Sequence, residues 1–379
     1  MQNPDTFPAP LQAIVNTLNQ LRPESNLSEL KLTWKKYLLL AQEQIPGIHI
    51  ERDGEIVCLG ALSPGCKACK SGTWDCIFTS TQCNLHCEFC YNPCNLPVNY
   101  AGSVFGKTPG VIAANHARTD ITGISFSGGE PFLFPKKLVE WLAYFKARMP
   151  GKYYWVYTNG LLVDETSLHQ LGDLGLDEIR FNAAATNYTH PHVLNNISLA
   201  AHYIPNITVE IPAIPEHSSR LLAALSEWSA LGVKYINLHE LMYEPGTISA
   251  EMPGKRREVI LPDGHRTQIN PESRLLTLAV MKKVQAENLS LAVNDCSLQS
   301  KLRQLRGRRR SLAPLTSDPF EQLMDETLVS YFVFRDTTDY EFCHPGNLSI
   351  RPGSRVFKLV RSAPLTLQAP KQWISCIEC

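Results

Sequence analysis

Residues 83–93 read Cys83-Asn84-Leu85-His86-Cys87-Glu88-Phe89-Cys90-Tyr91-Asn92-Pro93. Three thiols stand there at the spacing Cys-x3-Cys-x2-Cys. Zinc sites favour Cys-x2-Cys pairs completed to four ligands, which this asymmetric spacing fits poorly. A cubane iron–sulfur cluster has four irons, and electron carriers usually give each one a cysteine. Three local thiolates leave one iron open to another ligand. A zinc site and three buried thiols stand beside that reading as the plainer alternatives. Cys94 follows closely, and Cys87-x2-Cys90-x3-Cys94 imitates part of a ferredoxin run, but Asn95 stands where that run has proline.

Around this stretch the composition is that of an ordinary globular chain, with 379 residues, 44% apolar and 19% charged. That length builds one large domain or two ordinary ones. Lys plus Arg equals Asp plus Glu at 36 each. No global field therefore draws in nucleic acid or an anionic membrane, and neither is expected as a partner. No stretch approaches the roughly 20 apolar residues that span a bilayer. The opening Met1-Gln2-Asn3-Pro4-Asp5 has no basic segment leading into an apolar run, so a cytoplasmic location is expected. Eight of the twelve cysteines fall between Cys58 and Cys94. Without a secretion signal, such crowding favours metal or cluster chemistry over disulfides.

Outward from the thiols, hydrophobic periodicity divides the chain into 1–73, 74–297 and 298–379. Leu11, Ile14, Val15, Leu18 and Leu21 lie at helical spacing within 6–22, and 30–44 reads as a second amphipathic helix closed by Pro46-Gly47. Residues 48–62 turn strand-like, with a turn at Asp53-Gly54. Strands then read at 74–81, 121–127, 153–157, 178–182, 207–211, 234–238 and 289–294, with helices at 136–148, 167–174, 218–230 and 271–287. Such alternation means βαβ units, with parallel strands and helices outside. The expected fold class is α/β, a partial parallel (β/α)6 TIM-like barrel. A helical, cysteine-rich N-terminal region precedes it and an α+β extension follows. Chemistry in such barrels gathers at the carboxyl ends of the strands. The thiol motif, Gly128-Gly129-Glu130-Pro131 and Thr158-Asn159-Gly160 all follow strands, so one mouth collects them.

The thiol spacing, with Ser127-Gly128-Gly129-Glu130-Pro131 downstream, resembles the radical S-adenosylmethionine superfamily over residues 74–245. The aromatic Phe89 before the last cysteine is typical there, and Tyr91 joins it among the expected cofactor-binding residues. The resemblance implies that Cys83, Cys87 and Cys90 hold a [4Fe-4S] cluster. It implies that the open iron is chelated by the amino and carboxylate groups of S-adenosylmethionine. Gly128, Gly129 and Glu130 match the segment that holds the methionine amino group, where glycines admit a ligand that side chains would block. Thr158 and Asn159 stand where the family often has Thr-Asn-Gly. Asn182 stands where a Ser or Asn commonly contacts ribose or carboxylate, and Val209-Glu210-Ile211-Pro212 lies near the expected adenine contact. Each of these softer matches also has a structural reading. The implied reaction is reductive cleavage of S-adenosylmethionine to a 5′-deoxyadenosyl radical, which abstracts hydrogen from a substrate. A flavodoxin or ferredoxin is the expected reducing partner.

Two Cys-x2-Cys pairs, Cys66/Cys69 and Cys376/Cys379, can make a four-thiolate site if the fold joins them. A second [4Fe-4S] cluster is the sharper reading, with zinc or free thiols as alternatives. A Cys-x2-Cys just before the first strand resembles proteins related to pyruvate formate-lyase activating enzymes. Residues 343–353 resemble the start of an extension found in peptide-modifying members, although no cysteine follows near Lys358. The implied substrate is a peptide or protein, with a small molecule or tRNA nucleoside as alternatives. A non-catalytic iron–sulfur electron carrier is the alternative of another class. Glu240 ends the sixth strand and is a candidate to meet substrate. The basic run Lys301 to Arg310 reads as a solvated face or a patch for an acidic ligand.

Overall fold

The structure, a computed structural model, describes residues 24–93, 96–261, 265–324, 327–334, 340–348, 355–362 and 373–378. The expected helix at 6–22 lies outside them. Strand β1 (Glu24–Asn26) leads into helix α1 (Leu27–Gln44), whose first turn is capped by the Asn26 side chain accepting from Glu29 N. Helix α1 buries Leu30, Trp34, Tyr37 and Leu38 on one face. A hairpin of β2 (Ile48–Glu51) and β3 (Ile56–Leu59) follows. Its turn carries Asp53 in the left-handed region, at φ 54°.

Helix α2 (Pro64–Ser71) carries Cys66 and Cys69, and the barrel repeat begins directly after it. The repeat runs β4 (Trp74–Ser80), α3 (Pro109–His116), β5 (Gly123–Gly128), α4 (Pro135–Arg148), β6 (Tyr153–Thr158) and α5 (Glu165–Asp173). It continues with β7 (Glu178–Phe181), α6 (Pro191–Ala200), β8 (Asn206–Ala213), α7 (Ser218–Ala230) and β9 (Tyr235–Glu240). A second hairpin, β10 (Arg257–Ile260) and β11 (Arg266–Ile269), forms a three-stranded sheet with β1. Then come α8 (Ser273–Ala286), β12 (Ala292–Cys296) and the long helix α9 (Leu298–Thr316). A separate C-terminal sheet holds β13 (Gln322–Met324), β14 (Thr327–Phe334), β15 (Tyr340–Cys343), β16 (Arg355–Ser362) and β17 (Trp373–Glu378).

The main sheet has the order β2-β3-β12-β9-β8-β7-β6-β5-β4. Strands β4 through β9 pair parallel with their sequence neighbours. Strand β12 adds a further parallel strand beside β9, and the β2–β3 hairpin attaches antiparallel to it. The end strands β2 and β4 do not pair, so the barrel stays open. Among the described residues, no helix is long and apolar enough to cross a membrane.

Strand alternation divides the two faces of this sheet. Ile124, Phe126, Ile179, Phe181, Ile236 and Leu238 are fully buried in the hydrophobic core, and the Phe126 ring lies 6.2 Å from that of Phe145 on α4. The alternate positions are polar and bond to one another. Thr208 Oγ1 donates to Glu178 at 2.6 Å, and Arg180 reaches Glu210 at 2.6 Å. Helix α2 packs against this polar face. Its cap Ser63 accepts from Arg180 at 3.3 Å, and Cys66 Sγ from Asn294 at 3.7 Å.

Helix α9 crosses α2 with Gly307 against Gly72, where a side chain on either would strike backbone. This placement absorbs much of the basic run. Arg303 and Arg306 pair with Glu55, and Arg308 stacks 4.5 Å from the Trp74 ring while donating to Trp74 O at 3.1 Å.

Candidate functional site

Strand β4 ends at Ser80, and the thiol loop leaves the sheet there. A cavity of about 340 Å³ opens between this loop and the carboxyl ends of β5 through β9. Cys83, Cys87, Cys90, Phe89, Tyr91, Gly128, Gly129, Glu130, Thr158, Asn159 and Asn182 all line it. One turn, closed by Cys90 N donating to Cys87 O at 3.1 Å, presents the last two thiols. Leu85 N donates to Cys83 Sγ at 3.5 Å. The Cys87 thiol is pushed up to about 12, first by burial and then by neighbouring Cys90 and Cys83. Cys90 and Cys83 thus add to burial in opposing ionisation of Cys87, which a cationic centre beside it would relieve.

Among the described residues no three His, Cys, Asp or Glu side chains converge on a single-ion position. A cluster makes a different demand, because each thiolate binds its own iron. Of the loop's possible donors only the three thiols line the cavity, while His86 and Glu88 between them are exposed and do not, and a set of three thiols fits an iron–sulfur cluster.

The glycine segment is fastened to this loop by backbone. Gly129 N donates to Ser80 O and Glu130 N to Gln82 O, each at 2.8 Å. Asn92 Nδ2 donates to Gly128 O at 2.6 Å. Gly128 has φ +112°, and a Cβ there would strike Ser80 O; one on Gly129 would strike Gln82 O. Glu130 is buried, and its carboxylate accepts from Phe132 N at 3.0 Å, Thr158 Oγ1 at 2.9 Å and Asn159 N at 2.7 Å. It thus ties the end of β5 to the end of β6. Burial raises its pKa, against those hydrogen bonds. Asn159 Nδ2 reaches Asn84 Oδ1 at 2.7 Å, joining β6 to the thiol loop.

Tyr157, Arg180, Glu210 and His239 form a polar part of the remaining wall. Arg180 bonds both Glu178 and Glu210, and Glu210 accepts from His239 Nε2 at 2.6 Å. Burial opposes ionisation of Glu210, but Arg180 and then His239 outweigh it and hold its pKa at about 2. Burial likewise opposes the His239 cation, yet Cys296 and Glu210 raise its pKa to about 9. Charged residues on buried parallel strands were the sequence signal for this wall. Their partners lie on other strands, so pairing was not readable.

A depressed carboxyl pKa stabilises the fold above its unfolded value and ceases to do so as pH falls through the folded value. For Glu210 that window runs from about pH 4 down to about pH 2. Glu210→Gln is therefore expected to cost on the order of 3 kcal/mol at neutral pH. In thermal unfolding, wild type and variant should converge as pH falls through this window; a constant gap would contradict the pairing.

Glu240, a sequence candidate for meeting substrate, is turned away from the cavity. Alternation along β9 sends His239 inward and Glu240 outward, where its carboxylate accepts from Leu298 N at 2.7 Å and caps α9. Of the two cysteine pairs, only Cys66 and Cys69 have described side chains. Cys66 and Cys69 face the polar interior close to Cys296, each thiol raised mainly by burial. Cys376 lies on β17 opposite Leu359. Its side chain, and Cys379 and Cys94 entirely, lie outside the described residues.

The chain is similar to several known proteins. A family described as "4Fe-4S single cluster domain" matches residues 69–174. The putative glycyl-radical enzyme activating enzyme MJ0021 of Methanocaldococcus jannaschii is 26% identical over 279 residues, covering 71% of this chain and 72% of that one. The PqqA peptide cyclase of Gluconobacter oxydans is 34% identical over 101 residues, 27% of each chain. Among solved structures, Streptococcus suis SuiB bound to S-adenosylmethionine aligns with TM-score 0.43 and 12% identity, over 58% of this chain and 49% of that one.

Proposed function

We propose, for a chain that belongs to the radical S-adenosylmethionine superfamily, that the substrate is a peptide or protein. The enzyme uses a [4Fe-4S] cluster and S-adenosylmethionine. Bound together, these supply a one-electron cleavage to methionine and a 5′-deoxyadenosyl radical that takes hydrogen from a C–H bond. In this reading Cys83, Cys87 and Cys90 hold three irons. Gly128 and Gly129 bring bare backbone to the methionine end, and Thr158, Asn159 and Asn182 frame the remainder. Arg180, Glu210 and His239 form a rigid polar wall that orients substrate. A low-potential flavodoxin or ferredoxin is the proposed electron source.

The observation that carries the catalytic part is the backbone fastening of the thiol loop to the glycine segment along one cavity. An electron carrier has no use for that segment. The peptide part is supported by relatives named for enzyme activation and for peptide cyclisation. The test is isotope transfer. Reconstituted, dithionite-reduced protein should release 5′-deoxyadenosine, and deuterated peptides should pass deuterium into it. Transfer from deuterated nucleosides or free amino acids alone would overturn the peptide reading. No release from an assembled cluster would overturn catalysis.

A further inference from the structure

A second cavity, of about 370 Å³, lies beside the first and shares Tyr91 with it. Its walls come from α9 and the β10–β11 hairpin, with Leu261, Leu298, Leu302 and Leu305 giving it an apolar lining. Tyr91 is held in place because its hydroxyl oxygen accepts from Met242 N at 2.9 Å.

One group in this cavity lacks a matching partner. Lys301 Nζ lies 3.1 Å from Met242 Sδ and 5.0 Å from the centre of the Tyr91 ring. A thioether is a weak acceptor, and a ring face attracts a cation only modestly. Lys301 forms no ion pair with any described carboxylate. The other charges at the cavity are accounted for. Arg308 is spent on Trp74, Glu244 accepts from Thr267 at 3.4 Å, and His265 has a partner of its own. The nearby Glu240 caps α9 through one carboxylate oxygen, and its other oxygen is buried without a hydrogen bond. It feels the Lys301 charge without forming an ion pair with it. A half-buried ammonium over an apolar floor calls for an anionic group from outside.

We propose that this second cavity docks the substrate peptide, taking an apolar side chain on its leucines and a neighbouring carboxylate on Lys301. The inference rests on the peptide reading above. The first cavity, at about 340 Å³, is near the lower end of the volumes that small ligands fill, and S-adenosylmethionine bound as proposed above would take up much of it. A peptide substrate must then draw most of its binding energy from outside that cavity. The second cavity, one side chain away, is placed to supply it.

The test uses the reconstituted full chain and acetyl-Leu-Glu-Leu-amide, with Gln or Lys replacing Glu as comparison peptides. Binding is followed by calorimetry. The acidic peptide should bind best, and Lys301→Gln should weaken it about tenfold while leaving the Gln peptide unchanged. Leu305→Trp, at a position 44% exposed, should block both without altering peptide-independent cleavage of S-adenosylmethionine. Equal binding of acidic and basic peptides, or no effect of either substitution, overturns the docking site. Octanoate binding with the same Lys301 dependence, with no peptide binding, overturns the peptide occupant. Peptides that pass deuterium yet ignore Leu305→Trp would sink this site and leave the proposed function standing.

Discussion

Cys87→Ala is expected to lose both the cluster and the cleavage of S-adenosylmethionine, whereas Cys94→Ala keeps both. Cys87 lies between Cys83 and Cys90 in the loop, lines the cavity, and has its thiol raised first by burial and then by both neighbours. Removing it leaves two thiolates for a cluster that needs three, so assembly fails rather than weakens. Activity should fall about 10³-fold or more, as when one member of an interdependent catalytic set is removed. Iron and sulfide content measured beside 5′-deoxyadenosine release checks both parts. Equal losses in the two variants would mean that Cys94 is a ligand, and that the cluster has no vacancy.

Gly129→Ala is expected to be nearly as damaging, although it removes no ligand. A Cβ at this position would strike Gln82 O, the residue directly before Cys83. The same contact carries the hydrogen bond from Glu130 N. Relieving the overlap pushes the glycine segment and thiol loop apart, at a cost of about 1–3 kcal/mol in stability. Displacing reacting groups by about 1 Å can cost about a hundredfold in rate. Gly151→Ala is the matched control, since nothing lies within 4 Å of a Cβ there. Cleavage rate and thermal stability of the two variants, compared at equal iron content, test the argument. Similar values for both would show that the loop and the glycine segment are not coupled.

The parallel strands of the barrel were legible because each combines apolar residues with a break on either side. Strand β12 was read as a strand, but nothing in its sequence announced that it pairs with both β9 and the N-terminal hairpin. Helices α2, α3 and α6 escaped the periodicity reading. All three are short, with proline in the first turn, a start signal that a search for long amphipathic stripes passes over. The basic run on α9 looked like a solvated face because its partners, Glu55 and Trp74, come from distant parts of the chain. Glu240 looked like a substrate contact because it ends a strand, but strand position alone does not say which face a side chain takes.

The sequence by itself determined the thiol loop and the glycine segment, and with them the cofactors. Each is local: its chemistry is complete within a few consecutive residues, so spacing and residue type suffice. Only the tertiary structure decided what surrounds them. The polar wall needs Arg180 to reach Ser63 across 117 residues, and helix α2 is held in the interior partly by Lys70 bonding Ser300 across 230. Such pairs are chosen by packing and by the need to satisfy buried charge, which no local pattern encodes. The free face of Lys301 belongs to the same class, visible only once α9 is seen lying against Tyr91.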